Sequence, residues 1–303
     1  MLDNYLPSDI ANALNNIPYN SLCELRLRKD NYVIINILGA NYYLTNSCFS
    51  EDSTYALKIS NGAINSILQK ISNNSMYTIN DDLINGFVTI SGGIRLGVCG
   101  EVVTIDNKVT TIKNISSINF RFPHFIKNCS LNIYPYIVNN GKVKSTLIIS
   151  PPGGGKTTYL RDLIYQLQNR ENLLNILVVD ERDEIVNVFN GFNCEKITSV
   201  DVYSKCSKRF GFDNGIRSMA PNLIITDEIN INNDLEIIEL ALTAGVKVIA
   251  TIHASSINDL KNKLAFKDIL RKQLFDRYVV LSSENGLGTL EGIYNENLEF
   301  IGV

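Results

Sequence analysis

Two hydrophobic patterns divide this chain. Over Leu22-Cys23-Glu24-Leu25-Arg26-Leu27-Arg28, apolar and polar residues alternate with the period of a half-buried strand. A second apolar run, Tyr32 to Leu38, stops at Gly39. From Tyr55 to Ile71 the spacing becomes helical, with Leu57, Ile64, Ile67, Leu68 and Ile71 on one side. Phe87 to Ile90, Leu96 to Thr104 and Val109 to Ile112 read as short strands, and Asp106-Asn107 predicts a hairpin turn between the last two. Asn139-Asn140-Gly141-Lys142 has the chemistry of a linker. Beyond it the apolar runs become continuous: Leu147 to Ile149, Ile176 to Val179, Leu223 to Ile225 and Lys247 to Thr251. Helical stretches separate them, such as Tyr159 to Leu167 and Asp234 to Ala244. Strands buried on both faces and alternating with helices predict a mostly parallel sheet covered on two sides. Tyr278 to Leu281 and Thr289 to Ile293 close it. The expected organisation is an α+β domain over 1–138, a linker over 139–144 and an α/β domain over 145–303.

Composition narrows the class. The 303 residues suit two domains, and 45% hydrophobic with 19% charged residues is ordinary globular make-up. A formal net charge of -3 argues against a nucleic-acid partner, because duplex-binding surfaces carry excess Lys and Arg. No apolar run approaches the ~20 residues that cross a bilayer. The start, Met1-Leu2-Asp3-Asn4-Tyr5, lacks the basic-then-apolar shape of a secretion signal. The 6 cysteines (Cys23, Cys48, Cys99, Cys129, Cys194, Cys206) form no Cys-x-x-Cys pair, as for reduced thiols, and the 2 histidines, His124 and His253, make no metal cluster. The expectation is a soluble cytosolic protein.

The chemistry begins at Ser150-Pro151-Pro152-Gly153-Gly154-Gly155-Lys156-Thr157-Thr158, between an apolar strand and a helix. This is the setting of a phosphate-binding P-loop. Glycines let several N–H groups turn toward one anion, and the helix N-terminus adds partial positive charge. Lys156 would reach the β- and γ-phosphates of ATP, and Thr157 would place its hydroxyl on Mg²⁺. The alternative is a plain glycine-rich turn with an exposed lysine.

Three acidic or basic groups end the later strands, the edge at which such sheets bind ligands. Leu223-Ile224-Ile225-Thr226-Asp227-Glu228 has Walker B form: Asp227 would hold Mg²⁺ and Glu228 would polarise the attacking water. Val179-Asp180-Glu181-Arg182-Asp183-Glu184 offers Asp180 and Glu181 as water- or metal-ordering groups, or else a charged surface loop. His253 would sense the γ-phosphate, or be an ordinary satisfied histidine. Arg217, Arg95 and Arg121 are candidates for stabilising phosphoryl charge in cis or in trans, Arg217 toward a neighbouring subunit's nucleotide, with surface ion pairs or, for Arg217, a helix C-terminal cap as the alternative.

Together these segments resemble the secretion-ATPase superfamily, whose Walker A, Asp box, Walker B and His box follow in the same order. More narrowly, several segments are similar to the stage III sporulation protein AA family. They are Glu24 to Arg28, Ser91 to Gly100, Ile115 to Arg121, Val179 to Ile185 and Ile216-Arg217-Ser218-Met219-Ala220-Pro221. That resemblance spans nearly the whole chain. It implies a RecA-like P-loop ATPase domain, an N-terminal domain whose Arg95 and Arg121 reach nucleotide, and a homo-hexameric ring. It also implies docking on membrane-embedded channel or secretion-complex proteins, on the mother-cell side of a sporulating cell. Three departures stand out: Ser150 replaces the first P-loop glycine, Gly153-Gly154 replaces bulkier residues, and no arginine precedes Asp201. Other readings remain open from sequence: a small-molecule kinase, a RecA-type nucleic-acid motor, and a nucleotide-gated scaffold with negligible hydrolysis.

Overall fold

The computed structural model describes residues 2–73, 75, 79–84, 86–123, 125–170, 174–186, 197–261, 264–284, 286 and 288–303. His124 and Cys194 lie outside the described residues. The chain forms two compact units, Met1–His124 and Phe125–Val303.

In the first unit the described residues build a seven-stranded antiparallel sheet. Its centre is Leu22–Arg28, which buries Leu25 and Leu27 and turns Glu24 and Arg26 to the other face, as the alternation requires. The predicted helix starts later than the apolar spacing suggested, at Asn61 rather than Tyr55. Lys58–Ile59 instead pairs with Asn31–Tyr32, and the Ser60 hydroxyl then accepts from the Ala63 N–H as N-cap. Ile64, Ile67, Leu68 and Ile71 are buried as expected. The hairpin turns at Asp106 and Asn107, both left-handed (φ 49° and 59°). Its strands, Ile94–Ile105 and Lys108–Arg121, are longer than predicted. The run Lys113 to Ser117, polar but for Ile115, conceals the continuation, because the ladder needs only backbone groups there.

The second unit holds an eight-stranded sheet. Its order is Asp201–Ser204, Ile176–Asp180, Leu223–Glu228, Lys247–His253, Thr146–Ser150, Arg277–Ser282, Thr289–Asn295, Phe300–Gly302. The first six are parallel and the last two antiparallel. One face packs Ile148, Val178, Ile225 and Ile249 against Leu160, Leu163, Ile164 and Leu167 of the P-loop helix, Lys156–Arg170. The other packs Leu147, Leu177, Ile224 and Val248 beneath the helices Lys208–Ser218 and Ile231–Thr243. The boundary between units precedes the segment read as a linker. Residues 139–142 make a tight hairpin turn, Asn140 and Gly141 being left-handed, and Ile137 and Val143 enter the second unit's core. Asp162 of the P-loop helix, fully buried, anchors this lead-in by accepting from the Asn128 and Ser130 N–H groups and the Ser130 hydroxyl.

Among the described residues one core hydroxyl is left over. The Tyr278 hydroxyl is buried without a hydrogen-bond partner, and burial raises its pKa. An unmade bond of this kind costs ~1–3 kcal/mol. Tyr278→Phe is therefore expected to leave the urea midpoint unchanged or raise it. A drop in stability above ~1 kcal/mol would reveal a partner for the hydroxyl.

Candidate functional site

The order of the parallel strands decides the site. Lys247–His253 lies between the P-loop strand and the Leu223–Glu228 strand, with His253 in register with Ser150. The pairing slips between Ile225 and Glu228, an irregularity that re-aims the acidic end of that strand. These carboxyl ends frame a cleft of about 440 Å³, lined by Pro152 to Tyr159, Arg182, Glu184, Asp227, Glu228 and His253.

The P-loop is held open by its glycines. Gly153 and Gly155 are left-handed (φ 71° and 88°), a region that strains other residues. A Cβ on Gly154 would lie 2.0 Å from the Ser150 Oγ. Two of the sequence departures thus meet in space: as placed, the Ser150 hydroxyl occupies the room that a side chain at 154 would need. The buried Ser150 hydroxyl donates to the Pro151 carbonyl, which fixes it there.

Lys156 opens the helix, and its ammonium donates to the Ser150 and Pro151 carbonyls (3.0 Å each) and to His253 Nδ1 (2.8 Å). Burial lowers its pKa to about 8, against the opposing pull of the Glu228 charge. An ammonium cannot accept, so His253 Nδ1 is the acceptor and Nε2 carries the proton. Nε2 faces Glu228 Oε2 at 3.3 Å, and Arg182 reaches the same oxygen at 3.1 Å. Lys156, His253, Glu228 and Arg182 form one continuous polar line.

Asp227 sits beside it, 5% exposed, with neither carboxylate oxygen hydrogen-bonded. Burial pushes its pKa up to about 7, moderated by the Lys208 ammonium 3.7 Å away. A buried carboxylate whose oxygens accept no hydrogen bond from the described residues, lining the same cleft as Thr157, fits an oxygen-liganded cation such as Mg²⁺. The left-handed glycines and the helix N-terminus likewise fit a phosphate chain.

The other candidates take different places. Asp180 is fully buried and accepts from the N–H groups of Glu184, Ile185 and Val186, at 2.7–2.9 Å. It shapes the loop after its strand, holding three successive backbone N–H groups on its two oxygens. Glu181 pairs with Lys208 outside the P-loop cleft. Arg217 is exposed in the last turn of a helix whose first residue, Lys208, stands by Asp227. Nine residues of helix separate them by about 14 Å along the axis, so Arg217 is not brought to its own chain's P-loop. Arg95 and Arg121 are cross-strand neighbours in the first unit, Arg95 over the Phe87 ring and Arg121 3.8 Å from Glu24.

The family model of sporulation stage III, protein AA matches residues 4–301. This chain belongs to that family. Stage III sporulation protein AA of Bacillus subtilis (strain 168) is 36% identical over 299 residues, 96% of this chain and 94% of that relative. Among solved structures, the ATPase DotB of Yersinia pseudotuberculosis has a TM-score of 0.55 at 15% identity, covering 91% of this chain and 76% of that one. The pilus retraction motor PilT, solved with bound ADP, has a TM-score of 0.53 at 14% identity, covering 86% and 74%. At such identities the likeness is one of fold. Among the described residues no helix is long and apolar enough to cross a membrane.

In this family member two site residues escaped the sequence reading. Arg182 stood within the acidic run without a role. Lys208 is a lysine in the first turn of a helix, where the dipole disfavours a cation, yet it is buried between Glu181 and Asp227. That misplaced charge was the available signal.

Proposed function

We propose that this chain is a Mg²⁺-dependent ATPase of the secretion-motor kind, its second unit a RecA-like ATPase domain. The observation that carries the reading is the line Lys156–His253–Glu228, with the buried Asp227 carboxylate, which accepts no hydrogen bond from the described residues, beside it. It supplies a phosphate-binding ammonium, a carboxylate for water and a carboxylate for metal within one cleft. DotB, an ATPase, and PilT, a pilus retraction motor, share the fold and agree with it.

In this mechanism the P-loop N–H groups and Lys156 bind the β- and γ-phosphates, while Thr157 and Asp227 hold the cation. Bound Mg²⁺ supplies positive charge to the phosphoryl oxygens. Glu228 takes a proton from the attacking water, and His253 orients it through Nε2–H. By the family's role we propose a homo-hexameric ring on the mother-cell side of the membrane. There it energises assembly of, or transport through, a membrane-embedded channel between mother cell and forespore.

The test is phosphate release by the purified protein with Mg²⁺ and ATP, with mass measured with and without nucleotide. Steady release that is lost in Lys156→Ala supports the motor. Tight ATP binding without release makes the protein a nucleotide-gated scaffold instead.

A further inference from the structure

A single lysine is a meagre counter-charge for a triphosphate, since phosphoryl transfer commonly recruits a guanidinium as well. Among the described residues lining the P-loop cleft, the one arginine is Arg182. Its neighbours along the backbone are held from several sides. Asp180 gathers three following N–H groups, Ser204 donates to Asp183, and Arg161 donates to the Glu184 and Ile185 carbonyls. Its side chain, by contrast, is 61% exposed and is paired with Glu228 Oε2 at 3.1 Å. A long cationic arm on a rigid base, facing a carboxylate at the rim of a phosphate cleft, can change partners at little cost.

We propose that Arg182 reads the γ-phosphate of the nucleotide bound to its own chain, exchanging Glu228 for a phosphate oxygen and so releasing that carboxylate to act on water. The inference rests on the P-loop reading above. A terminal phosphate carries more charge than a carboxylate and accepts a guanidinium in a bidentate fashion, so the exchange runs toward the triphosphate. ADP leaves the Arg182–Glu228 pair in place. Discrimination between triphosphate and diphosphate thereby becomes a property of one side chain, and it is coupled directly to the hydrolytic carboxylate.

The experiment measures the affinity of the full-length protein for fluorescent ADP and for its β,γ-imido triphosphate counterpart, with Mg²⁺. Arg182→Ala is expected to weaken the triphosphate at least ~10-fold, the scale of one charge-assisted hydrogen bond, while ADP changes less than ~3-fold. Arg182→Lys restores part of the preference. In Glu228→Gln the guanidinium has lost its ionised partner, so triphosphate affinity rises, and Arg182→Ala in that background removes the gain. Equal losses for both nucleotides, or an unchanged ratio, would overturn the role of Arg182 and leave the P-loop reading standing. Wild-type protein that binds neither nucleotide overturns both. Lys156→Ala separates these cases, because it is expected to lose both nucleotides together.

Discussion

Glu228→Gln is expected to slow phosphate release at least ~100-fold while ATP remains bound, the low end of what a positioned general base contributes. The geometry gives the change its specificity. Glu228 receives His253 Nε2 and Arg182 on one oxygen, at 3.3 and 3.1 Å, and is only half-buried at the cleft wall. Glutamine keeps the shape and can still accept from His253, so the cleft and the P-loop persist. What disappears is the negative charge that, in the proposed mechanism, would draw a proton from water. Single-turnover phosphate release, set beside equilibrium ATP binding, reads the two effects separately. Release at the parental rate would remove Glu228 from the chemistry.

Gly154→Ala is expected to abolish nucleotide binding, through a collision wholly internal to the loop. The added methyl would meet the Ser150 Oγ at 2.0 Å, far inside contact distance, and the Pro151 carbonyl at 3.1 Å. The Ser150 hydroxyl would have to turn away from the Pro151 carbonyl, and that carbonyl would have to give by a few tenths of an ångström. Ser150 is fully buried at the strand end, and the Pro151 carbonyl holds both Lys156 and the Ser150 hydroxyl. The loop must open, and the N–H groups of Gly153 to Lys156 then diverge from any single anion. The second-site variant Ser150→Gly removes the closest obstacle, so the Ser150→Gly/Gly154→Ala protein should recover much of the affinity. Titration of the three variants with fluorescent ADP checks this, with circular dichroism confirming the fold. If the double variant binds no better than Gly154→Ala, the clash is not what disables the loop.

Much of this protein was legible from pattern and motif because the physics involved is local. Continuous apolar runs alternating with helices could satisfy their backbones only in a doubly covered parallel sheet, which is what the second unit contains. The P-loop glycines and Lys156 had to fall between a strand and a helix, and the turn at Asp106-Asn107 had to be left-handed. Strand ends were less certain: the Lys108–Arg121 strand outran its apolar signal, and the helix starting at Asn61 lost its first turns to a strand pairing. Those outcomes depend on backbone partners distant in sequence.

The sequence by itself determined the parallel sheet, the hairpin of the first unit, the glycine-rich loop between strand and helix and the acids that end the strands, since each follows from residue type and spacing along a few neighbouring positions. Only the tertiary structure decided which of those charged groups meet. Strand order set Lys247–His253 between the P-loop and the Walker B strand, and so put His253 between Lys156 and Glu228. Helix direction carried Arg217 away from the cleft and brought Lys208 to Asp227. The loop after Ile176–Asp180 turned Asp180 inward to its own backbone and Arg182 outward to Glu228. Spacing along a chain fixes which face of an element a residue occupies, whereas the charge partner at the end of a strand belongs to whichever strand is hydrogen-bonded next to it.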